Sequence, residues 1–132
     1  MGLSLDDILA SHRTRVPVVM GILNVTPDSF SDGGEFFDPA AAAGQARRMA
    51  DEGADIIDVG AESTRPGSRR VTAGEQIRRL RKALPAAVAS GAVVSIDTTL
   101  SAVARFALDA GAAMINDVSA GRDDPAMLDL AA

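Results

Sequence analysis

The sequence predicts an α/β fold of parallel strands, the architecture of a (β/α)8 barrel represented by about its first four units, a half barrel. Three observations predict it. Four short apolar runs rich in Val and Ile, at 16–24, 54–60, 92–97 and 112–117, are nearly continuous rather than alternating, as parallel strands covered on both faces are. Segments with helical spacing separate them, so the order is strand and helix in turn along the chain. The first strand-to-helix connection, "NVTPDSFSDGG", is long and carboxylate-bearing where a doubly wound dinucleotide fold would show GxGxxG. Four units are half of the barrel's eight, so residues 1–132 are expected to form the N-terminal portion of one domain, with no linker dividing it.

Each element has its own signal. The N-terminal "MGLSLDDILASHRTR" lacks the apolar core of a signal peptide and reads as a polar lead-in, with its lone His12 solvated rather than catalytic. The strand "VPVVMGILN" ends on Asn24. Asp38 and Pro39 then suit an N-cap and first helical position, and Ala42, Ala43, Ala46, Met49 and Ala50 mark one face as far as Gly53. After "ADIIDVG", Thr72 and Glu75 form a capping box ahead of Ile77, Leu80 and Leu84, while Pro85 is expected to kink or break that helix before Gly91. "AVVSID" follows, then a helix with Val103, Ala104, Ala107 and Leu108 on one face that stops near Gly111. "AAMIND" is the fourth strand, and Pro125 to Ala132 begins a fourth helix. A Gly-Ala pair precedes a strand at Gly53 and again at Gly111, a weak internal repeat.

Composition narrows the function classes. Of 132 residues, 47% are apolar and 23% charged, which suits a folded domain with an aliphatic core, since aromatics are only 3%. A net charge of -5 and a pI near 4.7 argue against a nucleic-acid surface, and the lack of Trp and Tyr removes stacking platforms. Arginine is still dense locally, in "STRPGSRR" and "IRRLRK", which leaves an anionic small ligand open. With no cysteine, disulfides and thiolate metal sites are excluded. No apolar run reaches the roughly 20 residues that span a bilayer, and a cytoplasmic location without membrane contact is expected.

Every apolar run finishes on polar residues: Asn24, then Glu62 and Thr64 beyond Gly60, then Asp97, then Asn116 with Asp117. In a parallel assembly all strand C-termini lie at one end, so these side chains are expected to converge on one crevice. A single Asn or Asp there is often only a turn former or helix cap, and Asp97 with Thr98 and Thr99 suits either a cap or a ligand contact. Asp58, inside its strand, reads as a packing or supporting residue. Arg65, Arg69 and Arg70 suit either a solvated face or an anion contact.

The stretches "MGILNVTPDSFSDGG", "GADIIDVGAESTRPGS" and "SIDTTLSAVARFALDAGAAMINDVSAG" resemble the N-terminal half of dihydropteroate synthase, over Val18 to about Met127. The resemblance implies a TIM-barrel fold of the pterin-binding kind, usually dimeric. It implies condensation of dihydropterin hydroxymethyl diphosphate with p-aminobenzoate in folate biosynthesis, with sulfonamides as competitors. It implies that Asn24 coordinates Mg²⁺ beside the diphosphate and that Thr64 contacts the pterin diphosphate end. Asp97 and Asn116 would hydrogen-bond the pterin edge, and Phe30, Ser63, Arg65 and Pro66 would line the p-aminobenzoate subsite within the loops 25–38 and 61–71. The family's second half supplies a further Asp, a Lys and an Arg-x-His that this sequence does not provide. The chain alone is therefore expected to be inactive and to need a second chain, or to pair as a homodimer. A non-catalytic half-barrel module that binds pterin or self-associates is the alternative, and a pterin-binding corrinoid methyltransferase is a third reading that the two loop motifs disfavour.

Overall fold

A computed structural model describes residues 4–11, 17–26, 38–62 and 70–132. In chain order the elements are α1 (Leu5–Ser11), β1 (Met20–Asn24), α2 (Pro39–Asp51), β2 (Ile56–Gly60), α3 (Ala73–Ala89), β3 (Val93–Asp97), α4 (Ser101–Asp109), β4 (Met114–Asn116) and α5 (Ala126–Ala131). The strands form one sheet in the order β1-β2-β3-β4, and every neighbouring pair is parallel. Sequential parallel strands joined by helices on one face are the β/α repeat expected from the apolar runs.

The strands' odd and even positions part company, as period-two geometry requires. Leu23, Ile57, Val59, Val94 and Ile96 point toward the helices and join Ala42, Ala46, Leu80, Ala83, Leu84, Ala87, Val103, Ala104 and Ala107 in one core. Each fully buried Leu or Ile in that layer contributes about 1.5–3 kcal/mol. Small alanines on α2 and α4 let the helices lie close to the sheet, so a nearly all-aliphatic composition still packs. The helices begin where the chain marks them: the Asp38 carboxylate accepts from the Ala40 N–H at 2.9 Å, and the Thr72 hydroxyl from the Glu75 N–H at 3.3 Å. Gly53 and Gly111 have φ of 109° and 116°, so the repeated glycine is the left-handed residue that stops a helix just before the next strand.

One expectation is corrected and one element is added. Helix α3 runs unbroken through Pro85. Pro85 lies on the exposed side while Leu80, Ala83, Leu84 and Ala87 are buried, so the proline ring stays out of the core contact and burial of the opposite face holds the helix together. The N-terminal lead-in is helical over Leu5–Ser11. Ser4 and Asp7 cap it reciprocally: Asp7 N–H donates to Ser4 Oγ at 3.1 Å and Ser4 N–H to Asp7 Oδ2 at 3.0 Å. Its Ile8, only 3% exposed, packs on Ile56 and Val93, the first residues of β2 and β3, and so covers the start of the sheet's other face.

Candidate functional site

The face of the sheet turned away from α2, α3 and α4 is organised in rows by the strand register. Met20, Ile56 and Val93 form the first row, with Ile56 and Val93 packed on Ile8. Ile22, Asp58, Ser95 and Met114 form the second. Asn24, Gly60, Asp97 and Asn116 form the third, at the C-terminal ends of all four strands. The sequence thus goes from apolar to polar along each strand in step, and the register turns that gradient into one polar rim. Asn24, Asp97 and Asn116 are brought into the same row, as expected. Thr64, Phe30, Ser63, Arg65 and Pro66 lie outside the described residues, as does His12.

The rim is supported from below. Asp58 is 3% exposed, and its Oδ2 accepts from Asn116 Nδ2 at 3.1 Å, across β3, which fixes the carboxamide's orientation. Its other oxygen is buried with no hydrogen-bond partner among the described residues, and the adjacent Ser95 hydroxyl is in the same condition. Buried polar atoms are seldom left unpaired, so this pair of atoms marks a place suited to a polar ligand. Asp97 does not cap α4. That helix is held instead by Thr98 Oγ1, which accepts from Leu100 N–H at 3.2 Å, and by Asp124 Oδ2, which accepts from Ser101 N–H at 2.7 Å. The Asp97 side chain is left to the rim, where burial, followed by the charges of Asp58, Glu62 and Asp117, pushes its carboxyl up to about 6.

Gly60 is part of this arrangement. A Cβ at that position would come within 3.3 Å of Asp97 Cβ and 3.4 Å of Oδ2, so any larger residue would press on the carboxylate between β2 and β3 and glycine leaves it room. Around the rim the loops are tied to one another. Glu62 Oε2 accepts from the Val71 N–H at 2.6 Å. Arg70 reaches Asp123 Oδ2 at 2.7 Å and lies 3.6 Å from Glu62 Oε2. Asp117 folds the loop after β4, accepting from the N–H groups of Ser119 and Gly121 at 2.8 and 2.9 Å. Sequence reasoning placed Asp58 in a supporting role and missed its partner, because two residues 58 positions apart meet only through register. Ser95 and Gly60 were also missed, although their even spacing from Asp97 along or across the strands was the available signal.

An acidic, partly desolvated rim with amide and carboxylate groups side by side can accept from ring N–H and amino donors and donate to ring nitrogens. It has the groups to hold a flat polar heterocycle by its edge. No group of three or more His, Cys, Asp or Glu able to hold a metal occurs among the described residues.

Comparison with known proteins agrees with this geometry. Residues 20–132 match the family described as pterin binding enzyme. The dihydropteroate synthase of Mycobacterium leprae is 51% identical over 114 residues, covering 86% of this chain and 40% of that protein. A probable bifunctional folylpolyglutamate synthase/dihydropteroate synthase of Haloferax volcanii is 56% identical over 114 residues, covering 86% of this chain and 14% of that one. The solved dihydropteroate synthase of Xanthomonas albilineans with 4-aminobenzoic acid superposes with a TM-score of 0.78 at 50% identity, over 86% of this chain and 42% of that chain. The chain thus spans well under half the length of these relatives. Four parallel β/α units with a shared polar rim, a family match from the first strand to the last residue and this level of identity lead to one conclusion: the chain belongs to the pterin binding enzyme family.

Proposed function

We propose that the chain is the pterin-holding part of a dihydropteroate synthase, which joins a dihydropterin hydroxymethyl diphosphate to p-aminobenzoate and releases pyrophosphate. The observation that carries this reading is the third row of the sheet, where Asp97 and Asn116 stand side by side above the buried Asp58. In the proposal the Asp97 carboxylate accepts from the pterin's N–H and amino groups, while Asn116, oriented by Asp58, donates to a ring nitrogen. Loss of pyrophosphate breaks the methylene C–O bond, and the electron pair leaves with the diphosphate oxygen. The aniline nitrogen then bonds to the methylene carbon and gives up one proton to solvent. No protein nucleophile is required. Thr64 serves the diphosphate end, and Phe30, Ser63, Arg65 and Pro66 serve the p-aminobenzoate subsite that sulfonamides would also occupy.

Magnesium fits as a shared rather than caged ion. Asn24 is exposed at the end of β1 and offers one amide oxygen. That suits Mg²⁺, which commonly takes one or two protein oxygens and completes its octahedron with substrate phosphate and water. When bound it would offset the charge of the departing pyrophosphate.

The test begins with binding. Quenching of pterin fluorescence by the purified chain should be strong with the native sequence and lost in Asp97→Ala and Asn116→Ala; equal quenching by Asp97→Ala would remove the basis of the reading. With both substrates, pyrophosphate release should be negligible from the chain alone and should appear when the C-terminal part of a relative such as the M. leprae synthase is added.

A second reading has its own support. The edge strand β1 leaves Met20 at 45% and Ile22 at 58% exposure on the rim side of the sheet, and Val18 and Val19 are exposed before it. An open apolar edge favours association with a second copy, or with a chain that completes the barrel. Light scattering separates the two: a dimer from the chain alone supports self-association, and a monomer that shifts only with the complementary part supports completion. No described helix is long and apolar enough to cross a membrane.

A further inference from the structure

The segment 62–71 joins β2 to α3, and both of its ends are held. Arg79, from the second turn of α3, donates to the Ala61 carbonyl at 3.0 Å. Glu62 accepts from the Val71 N–H at 2.6 Å. The Val71 carbonyl in turn accepts from Gln76 Nε2 at 3.0 Å. The Val71 backbone is therefore gripped on both sides, by an acid from the strand end and by an amide from the helix.

Gln76 does more than close this loop. It is 2% exposed, and its Oε1 accepts from Thr98 Oγ1 at 3.1 Å. Thr98 is itself 5% exposed and follows Asp97 directly, and its Oγ1 also accepts from Leu100 N–H. A carbonyl can only accept and a hydroxyl already used as an acceptor still has one proton to give, so the Gln76 amide has one orientation that satisfies both neighbours. An uncharged amide with its donor on one strand-end loop and its acceptor on another costs desolvation, and an apolar side chain of that size would fill the same space without this cost. Packing alone does not require it.

We propose that Gln76 is a positioning residue of the candidate site, linking the exit of the 62–71 segment to the turn that carries Asp97 so that the two strand ends hold one relative placement. Arg70 adds an outer link over the same gap: its guanidinium donates to Asp123 at 2.7 Å and to Thr99 at 3.4 Å, joining the loops after β2, β3 and β4. That outer link is exposed and screened, whereas the Gln76 link is shielded from water. The bearing of this tie on catalysis rests on the proposed function, but the tie itself does not.

The experiment uses the 132-residue chain and Gln76→Met, which keeps the length and removes both bonds. Three readouts are taken together: the urea midpoint, hydrogen exchange at Val71 against that of β2 and β3, and trypsin cleavage after Arg70. The expected result is at least a tenfold rise in Val71 exchange and in cleavage while strand exchange stays near native values, and pterin quenching weaker than native. Gln76→Glu keeps the acceptor for Thr98 and loses the donor to Val71 when ionised, so it should free Val71 while leaving the exchange of Leu100 protected. Unchanged Val71 exchange and cleavage in both variants would overturn the proposal, as would a rise that only follows global unfolding in step with β2 and β3. Should Gln76→Met not fold, the Gln76→Glu comparison decides by the same criteria. If the native chain binds no pterin, the proposed function fails while the exchange and cleavage arms still judge the tie.

Discussion

Asp97 gives the most direct physical test of the rim. Its carboxyl is pushed from the ordinary 3.8 up to about 6, first by burial and then by Asp58, Glu62 and Asp117. A carboxyl with a raised value in the folded chain keeps a proton that the unfolded chain has already released. The resulting destabilisation is absent below pH 3.8, grows as pH rises and is complete above about 6. Each unit corresponds to about 1.4 kcal/mol, which sets an upper bound of about 3 kcal/mol. Because Asp97 is only partly shielded from water, screening reduces this to roughly 1–2 kcal/mol. Asp97→Asn cannot ionise, so its stability relative to the native chain should improve by that amount between pH 4 and pH 7.5. Urea unfolding of both proteins at the two pH values measures this, and comparing the two differences cancels the titrating groups that do not interact with Asp97. A relative stability that does not change with pH, or that moves the opposite way, would refute the account of a desolvated carboxylate among like charges.

Three further perturbations test the frame around it. Leu84→Ala removes a side chain of 0% exposure from the centre of the helix-to-sheet core and should cost about 2–5 kcal/mol by denaturant unfolding. Pro85→Ala restores an N–H on the exposed side of α3 and should stabilise the chain by about 1–2 kcal/mol, seen as a higher urea midpoint, because proline's restraint of the unfolded chain offsets only part of its helix penalty; a lower midpoint would mean that Pro85 makes a contact of its own. Gly60→Ala places a methyl 3.3 Å from Asp97 Cβ, so it should cost about 1 kcal/mol of stability and also weaken pterin quenching, whereas a loss of stability with binding intact would separate Gly60 from the rim.

How much of this was legible beforehand depends on the range of the interactions involved. The polar rim could be read because the apolar runs identify parallel strands, and parallel strands put Asn24, Asp97 and Asn116 at one end whatever the details of packing. The Asp38 and Thr72 caps could be read because a cap acts within three residues. The helix at Leu5–Ser11 was also local, signalled by Ser4 and Asp7, but its purpose lies in the contact of Ile8 with Ile56 and Val93, far along the chain.

What only the tertiary structure decided are the cross-strand and cross-loop pairings. Pro85 reads as a breaker from its own backbone, and the burial of Leu80, Leu84 and Ala87 on the far side of the helix overrides it. Asp58 reads as a packing or supporting residue, but only register sets it beneath Asn116, and only folding places Val71 on one side of the Gln76 amide and Thr98 on the other. Sequence periodicity determines which face of an element a side chain occupies. Its partner on the neighbouring element depends on strand register and helix placement, which are set by the whole core at once.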